Sequence, residues 1–387
     1  MVKAIKVMLI PNNVQKTKMF QYAGASRFAY NWALAREIEN YEKGGKFLSD
    51  AELRKEFTKL RHSDEYAWLL NISNNVTKQA IKDACTAYKN FFRGLQKFPR
   101  FKSKKRSMPK FYQDNVKIRF SNTHVKFEGF SSSRKANKQK MNWVRLAEHG
   151  RIPTDVKYMN PRISFDGLNW WISVCVEFPD CRETLNDDGV GIDLGIKDLA
   201  VCSDGTKYKN INKSQKVKKL EKQKRRLQRS ISRSYEKNKK GESYCKTNNV
   251  IKKEKLLLKR NHRLTNIRKN YLNQTISEIV DRKPRFICIE DLNVSGMMKN
   301  RHLSKAVQEQ GFFWFRKQLE YRCSDKGIQL IVADRFYPSS KLCSCCGNIK
   351  KDLKLSDRVY RCACGNMIDR DFQASINLKT YGEKFAS

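Results

Sequence analysis

Two apolar runs in this chain finish on a carboxylate, and few folds tolerate that. "VGIDLGIKDLAVCSDG" sets Asp193 inside a strand-like stretch, and "PRFICIEDLNV" does the same with Glu290, followed by Asp291. Near the C-terminus, "NMIDRDFQASINL" opens a helical pattern on Asp369 and Asp371. Burying an unpaired carboxylate is costly because its ionised form loses water. A chain that does so on two strands must bring something cationic to both. Either each acid meets its own Lys or Arg, or acids from distant parts of the chain gather around divalent metal. In the second case they hold a pair of Mg²⁺ ions about 4 Å apart, the arrangement that activates water and stabilises the leaving oxygen in phosphodiester hydrolysis.

Charge points to the substrate. Lys and Arg number 80 against 39 Asp and Glu, a formal charge of +41. That field attracts polyanions, nucleic acid above all, and three acid sites within such a chain favour metal over separate ion pairs. No apolar run approaches the roughly 20 residues that span a bilayer, and no signal peptide opens the chain. The expected location is cytoplasmic and nucleoid-associated, with no membrane partner. A hydrophobic content of 40% supplies material for folded cores. No Gly-rich phosphate loop is present, so ATP dependence has no support.

The pattern predicts a multi-domain chain, part α+β and part α/β. "VKAIKVMLI" alternates like a strand, and residues 15–95 then repeat apolar positions at helical spacing, with a break at Gly44-Gly45. From about residue 97 the period returns to two. "NVKIRFSNTHVKFEG" and "PRISFDGLNWWISVCVEF" read as hairpins, the second turning at Asp166-Gly167. Strands on both sides of a helical block predict an N-terminal β-barrel (1–14 and 96–182) with a helical insertion (15–95). The basic, aromatic stretch "KFPRFKSKKRSMPKFY" suits phosphate contact. "PDCRETLNDDG" is read as the boundary to an α/β domain, 183–336 and 366–387, in which strands alternate with helices. Residues 213–272 form a pair of Lys/Arg-dense helices there, a further nucleic-acid surface.

Five of the 12 cysteines fall between Cys343 and Cys364. "CSCCG" and "RCACG" supply Cys343, Cys346, Cys362 and Cys364, the pairs separated by fifteen residues, 347 to 361. This spacing predicts a zinc ribbon over 337–365 holding one structural Zn²⁺, since four thiolates leave no position open for water. The second pair is C-x-C, one residue short of the common knuckle, with Gly347 and Gly365 easing the turns. Cys345 is a spare thiol that could substitute.

"GIDLGIKDLAVCSDG", "ICIEDLNVSGM" and "CGNMIDRDFQASINL" resemble the three RuvC motifs of TnpB, the RNA-guided DNA endonuclease of bacterial insertion sequences and a relative of type V CRISPR nucleases. "ASRFAYNWALA", "AYKNFFRGLQKFPRFKSKKR" and "YPSSKLCSCCG" are similar to the same family, in the same order, from near residue 1 to about 380. The resemblance implies an RNase H-like (RuvC) nuclease fold with the zinc ribbon inserted before its last segment. It implies Asp193, Glu290 and Asp371 as ligands of two Mg²⁺ ions. The family places an Asp two residues before an Asn; here Gln373 stands at the Asn position, and Asp369 is the alternative third ligand. The implied partners are a guide RNA from the transposon end and double-stranded target DNA beside a short motif read by the protein.

Other classes remain in view. A guided repressor that binds without cutting would have a broken acidic triad. A guide-independent DNA transposase would share the metal chemistry but carry no RNA. A plain zinc-ribbon RNA-binding protein would leave the acid-ended strands unexplained.

Overall fold

The computed structural model describes residues 1–131, 139–179, 183–241, 243–354 and 357–386. Part of the expected boundary segment (180–182), part of the expected strand domain (132–138) and part of the expected ribbon (355–356) lie outside the described residues. The chain divides into two compact units, Met1–Pro179 and Asp180–Ser387. None of the described helices is long and apolar enough to cross a membrane.

In the first unit, strand β1 (Val2–Ile10) leads into α1 (Asn13–Glu42). Asn12 starts that helix with a capping box: its side chain accepts from the Gln15 amide while Gln15 returns a bond to the Asn12 amide. Helices α2 (Asp50–Arg61) and α3 (Asn74–Phe92) follow, the break falling at the double glycine. Six further strands complete a seven-stranded antiparallel sheet: β2 (Lys110–Tyr112), β3 (Arg119–Phe120), β4 (His124–Lys126), β5 (Trp143–Leu146), β6 (Tyr158–Phe165) and β7 (Trp170–Glu177). Their order is β2-β6-β7-β1-β5-β4-β3. The ladder is open, with the two- and three-residue strands β3 and β2 at its ends and no pairing between them among the described residues. The strands expected as a barrel are therefore described as one sheet. Trp170, Ile172, Val174 and Val176 alternate inward from β7 and join Val7, Leu9, Met19, Tyr22 and Leu34 in one core.

The basic aromatic stretch is a loop tied to α1. Asn31 of α1 accepts from the Lys102 amide and donates to the Lys102 carbonyl, both at 2.8 Å. The Lys102 ammonium lies over the Tyr30 ring. Burial, joined by the charge of Lys110, brings its pKa down to about 7, with Asp83 opposing. The unfolded value is near 10.4, so the folded chain binds this proton more weakly than the unfolded one. The destabilisation is complete below pH about 7 and fades as pH rises toward the unfolded value. Lys102→Met should therefore raise the melting temperature at pH 6 and lose that advantage by pH 10. An equal gain at both pH values would show that the charge is not its source.

The second unit is built on a five-stranded sheet of order β10-β9-β8-β13-β14. Here β8 (Val190–Leu194), β9 (Asp198–Cys202) and β10 (Lys207–Lys209) form an antiparallel meander, while β13 (Phe286–Glu290) and β14 (Gln329–Ala333) run parallel to β8. Between β10 and β13 lie α4 (Gln215–Lys237), a two-residue ladder of β11 (Lys239–Lys240) with β12 (Ser243–Tyr244), and α5 (Asn248–Val280). A short α6 (Val294–Lys299) precedes α7 (Ser304–Gln310) and α8 (Phe312–Lys326). Gly311, at φ +69°, ends α7 and separates it from α8. The ribbon hairpin, β15 (Val359–Arg361) and β16 (Met367–Asp369), runs into α9 (Arg370–Glu383).

Each face of this sheet has its own cover. Val190, Ile192, Leu194, Ile287 and Ile289 pack against Leu272 and Ile276 of α5 and Phe312, Phe315 and Leu319 of α8. Phe286 and Cys288 point the other way, onto Leu378 of α9. That docking depends on Gly191. A Cβ there would stand 2.0 Å from the Ser375 carbonyl oxygen and 2.3 Å from the Lys379 amide nitrogen, both backbone atoms of α9.

A candidate acidic metal centre and a four-cysteine site

Strand alternation decides which acids meet. Ile192 of β8 pairs in parallel with Ile289 of β13, so Asp193 and Glu290 occupy the next positions of adjacent strands. Both share the α9 face with Gly191 and Cys288. Asp371 sits in the first turn of α9, where the helix N-terminus favours negative charge. All three line one cavity of about 650 Å³, together with Lys197, Lys213, Lys341, Lys354, Arg358 and Arg370. The arrangement is a basic cleft with an acidic floor.

No hydrogen bond or ion pair reaches the Asp193 carboxylate among the described residues. Loss of hydration pushes its pKa well above the ordinary carboxylate value, and the charges of Glu290 and Asp371 push it further while Arg370 opposes. Glu290 is raised by burial, tempered by a hydrogen bond from the Ser339 hydroxyl and raised again by Asp371. Asp371 pairs with Arg370 at 3.1 Å. Among these three partly buried acids on three elements, Arg370 thus offsets Asp193 and Asp371, while Glu290 takes the Ser339 hydroxyl. This donor set fits hard divalent ions, whose charge would reverse the local electrostatics. The oxygens stand less tightly grouped than the cysteine sulfurs described below, which alone among the described residues bring three or more ligand atoms within 4.8 Å of one another.

The neighbouring acids have other duties. Asp291 points away from the centre and is held by Arg316 (2.7 Å) and Arg335 (2.5 Å), which lower its pKa. Asp369 is the N-cap of α9, accepting from the Asp371 and Phe372 amides, and pairs with Lys207 at 3.1 Å. Burial alone would raise its pKa, but the Phe372 amide and Lys207 outweigh it and hold it low.

The ribbon gathers Cys343, Cys346, Cys362 and Cys364 with all four sulfurs within 4.8 Å of one another. Cys343 and Cys364 stand 3.7 Å apart, Cys346 and Cys362 3.6 Å. A tetrahedron with Zn–S near 2.3 Å has edges of about 3.8 Å, so the spacing fits zinc. Burial would raise the Cys343 thiol, but the amides of Cys346 and Cys345 and the Asn366 side chain bring it down to about 6, while the neighbouring sulfurs push Cys346 and Cys364 up. Cys343 gives up its proton first, and binding metal must release the others. The short C-x-C pair lies in the turn between β15 and β16. Gly347 and Gly365 take φ of +71° and +86°, which the knuckle turns demand. Cys345 is exposed and outside the sulfur group.

Sequence reasoning missed the residues that join these sites. Ser339 lies in "YPSSKLC", singled out above only for its family likeness. Gln373, noted as a departure from a motif, is fully buried and donates to the Leu342 carbonyl at 2.7 Å. Nothing in either stretch announces a partner far along the chain.

Family models match three segments: "Cas12f1-like, TNB domain" at 312–378, "Probable transposase" at 173–301 and "Helix-turn-helix domain" at 1–46. Residues 1–46 hold a strand and one long helix here. The chain is 31% identical to "Putative RNA-guided DNA endonuclease InsQ" of Escherichia coli (strain K12) over 379 residues, covering 93% of this chain and 87% of the relative. It is 28% identical to a "Putative RNA-guided DNA endonuclease" of Streptomyces pristinaespiralis, covering 98% and 89%. Among solved structures it resembles the Cas12f1 chain of a Cas12f1–sgRNA–target DNA complex, with a TM-score of 0.55 at 11% identity over 98% of both chains, a likeness of fold.

Proposed function

Since this chain belongs to the TnpB family of the IS605 type, we propose that it is an RNA-guided DNA endonuclease that cuts at the acidic floor of the second unit. The observation that carries this reading is the meeting of Asp193, Glu290 and Asp371 in a cleft walled by six cationic residues. Those acids would hold divalent ions, two Mg²⁺ by the chemistry required. Bound there, Mg²⁺ supplies an activated water and stabilises the leaving oxygen. The chain supplies the rest. Lys341, Lys354 and Arg358 hold the phosphates across the cleft, Ser339 fixes the Glu290 carboxylate, and Arg370 restrains Asp371. The sheet order supports the RNase H-like class. The four-cysteine ribbon, 337–365, holds a structural Zn²⁺, and metal analysis should find one zinc per chain. The N-terminal unit, read as a strand domain with a helical insertion, grips guide RNA and the guide–target duplex by shape and charge. It reads a short motif beside the target while base pairing reads the rest.

The test uses protein expressed with its own flanking DNA, so that its guide co-purifies and can be sequenced. Mg²⁺ and a plasmid library with the matched target beside randomised flanks are then added. Cleavage of one flank class supports the reading. Binding without cutting would indicate a repressor, and absence of a discrete RNA a transposase or simple RNA binder.

The capping role of Asp369 separates it from Asp371. Asp371→Ala should abolish cleavage. Asp369→Ala should cost about 0.5–2 kcal/mol of stability, as lost N-caps do, and retain measurable cleavage. The reverse pattern in a plasmid-nicking assay would exchange their roles.

A further inference from the structure

A chain of polar side chains, buried at Gln373, Asn377 and Ser339, runs from the sulfur site to the acidic floor. Asn366, in the β15–β16 turn, donates to the Cys343 sulfur and to the Gln373 side-chain oxygen, both at 3.4 Å. The same Gln373 oxygen accepts from the Ser344 hydroxyl at 2.9 Å, inside the first cysteine pair. One turn along α9, Asn377 donates to the Leu342 and Ser339 carbonyls, each at 2.7 Å. The Ser339 hydroxyl then donates to Glu290. Gln373, Asn377 and Ser339 are 0%, 2% and 4% exposed. Of these bonds only that from Asn366 to Cys343 serves the sulfurs directly, and only that from Ser339 to Glu290 serves the carboxylates.

We propose that the four-cysteine site and the acidic centre are energetically coupled, with Ser339, Gln373 and Asn377 as positioning residues that link them. Metal on the sulfurs fixes the backbone from Ser339 to Ser344. That backbone seats Gln373 and Asn377, and with them α9, whose first turn carries Asp371 two residues before Gln373. Through Ser339 it also orients Glu290. A satisfied buried network transmits such a displacement because each broken bond leaves a desolvated polar group without a partner. Coupling of this kind is reciprocal: metal at either site tightens binding at the other by the same factor. The inference rests on the proposed two-site reading above.

The experiment uses the full chain with its co-purified RNA and no DNA, so that nothing is cut. Zinc affinity is measured by competition with a colorimetric chelator, with and without Mg²⁺. Mn²⁺ binding is followed separately by electron paramagnetic resonance. In the wild type, saturating Mg²⁺ should raise zinc affinity about 5- to 150-fold, the usual range of coupled sites. Asp193→Ala should lose that response. Gln373→Leu should bind both metals and lose the response as well. Ser339→Ala, the mildest change, should weaken Mn²⁺ binding about 10- to 100-fold, as loss of a ligand's supporting hydrogen bond does, and reduce the response of zinc to Mg²⁺. If Mn²⁺ binds in an Asp193-dependent way while zinc affinity ignores Mg²⁺, the coupling is wrong and the nuclease reading stands. If no Asp193-dependent Mn²⁺ binding is found, both fall together.

Discussion

Asp193→Ala should give a protein that binds its guide and target, cuts more than ~100-fold more slowly and yet melts at a higher temperature than the wild type in metal-free buffer. Loss of activity should exceed the 10- to 100-fold cost of removing a mere supporting partner of a metal ligand. The stability gain is the more discriminating half. Asp193 has no hydrogen-bonded or ionic partner among the described residues, and its neighbours Glu290 and Asp371 are themselves acidic. Removing its charge relieves repulsion and desolvation together. Each ~1 kcal/mol gained should raise the melting temperature of a domain this size by about 2–4 °C. Adding Mg²⁺ should reverse the order: binding at 100 times its dissociation constant stabilises the wild type by about 2.7 kcal/mol and the variant hardly at all. Calorimetry with and without Mg²⁺ reads both effects. A variant less stable than the wild type without metal would mean that Asp193 is held by a cation of the chain.

Gly191→Val should have the largest structural effect. Its side chain would enter space occupied by the backbone of α9 at Ser375 and Lys379, at 2.0 and 2.3 Å from Cβ alone. Backbone within a helix cannot rotate aside, so α9 must lift from β8. Overpacking costs about 1–3 kcal/mol where side chains can adjust, and this clash should exceed that range. The expected fall in melting temperature is ~10 °C, at about 2–4 °C per kcal/mol. Because Asp371 travels with α9, cleavage should fall further than guide binding, which is measured by gel shift. Wild-type stability in this variant would refute the close docking of α9.

These two positions also show what the chain reveals unaided. Asp193 and Glu290 were legible because an acid at the end of an apolar run violates a burial rule, and such a violation needs a cause. The four cysteines were legible through spacing alone, even with a C-x-C pair, since the hairpin turn tightens around it. Gly191 was not: a glycine in a strand looks the same whether a helix presses on it or not, and the pressing helix lies some 180 residues further on. Ser339 and Gln373 were hidden for the same reason, their importance residing in partners and not in local pattern. A strand of three residues such as β2, set inside a basic loop-like stretch, carries no measurable period. The antiparallel sheet of the first unit therefore emerged as hairpins, the β3–β4 pair among them, without β2 at its other edge.

The order in which the chain is synthesised acquires meaning from α9. Its first turn carries one of the three acids, and its body covers Phe286 and Cys288 of β13. A ribosome must therefore finish the meander, the long basic helices and the ribbon before the proposed cutting centre can assemble. Until then the nascent chain can meet RNA through its earlier surfaces while its scissors remain in separate pieces. Loss of the segment that carries α9, by a frameshift or an early stop, should leave a protein still fit to hold RNA and unable to cut.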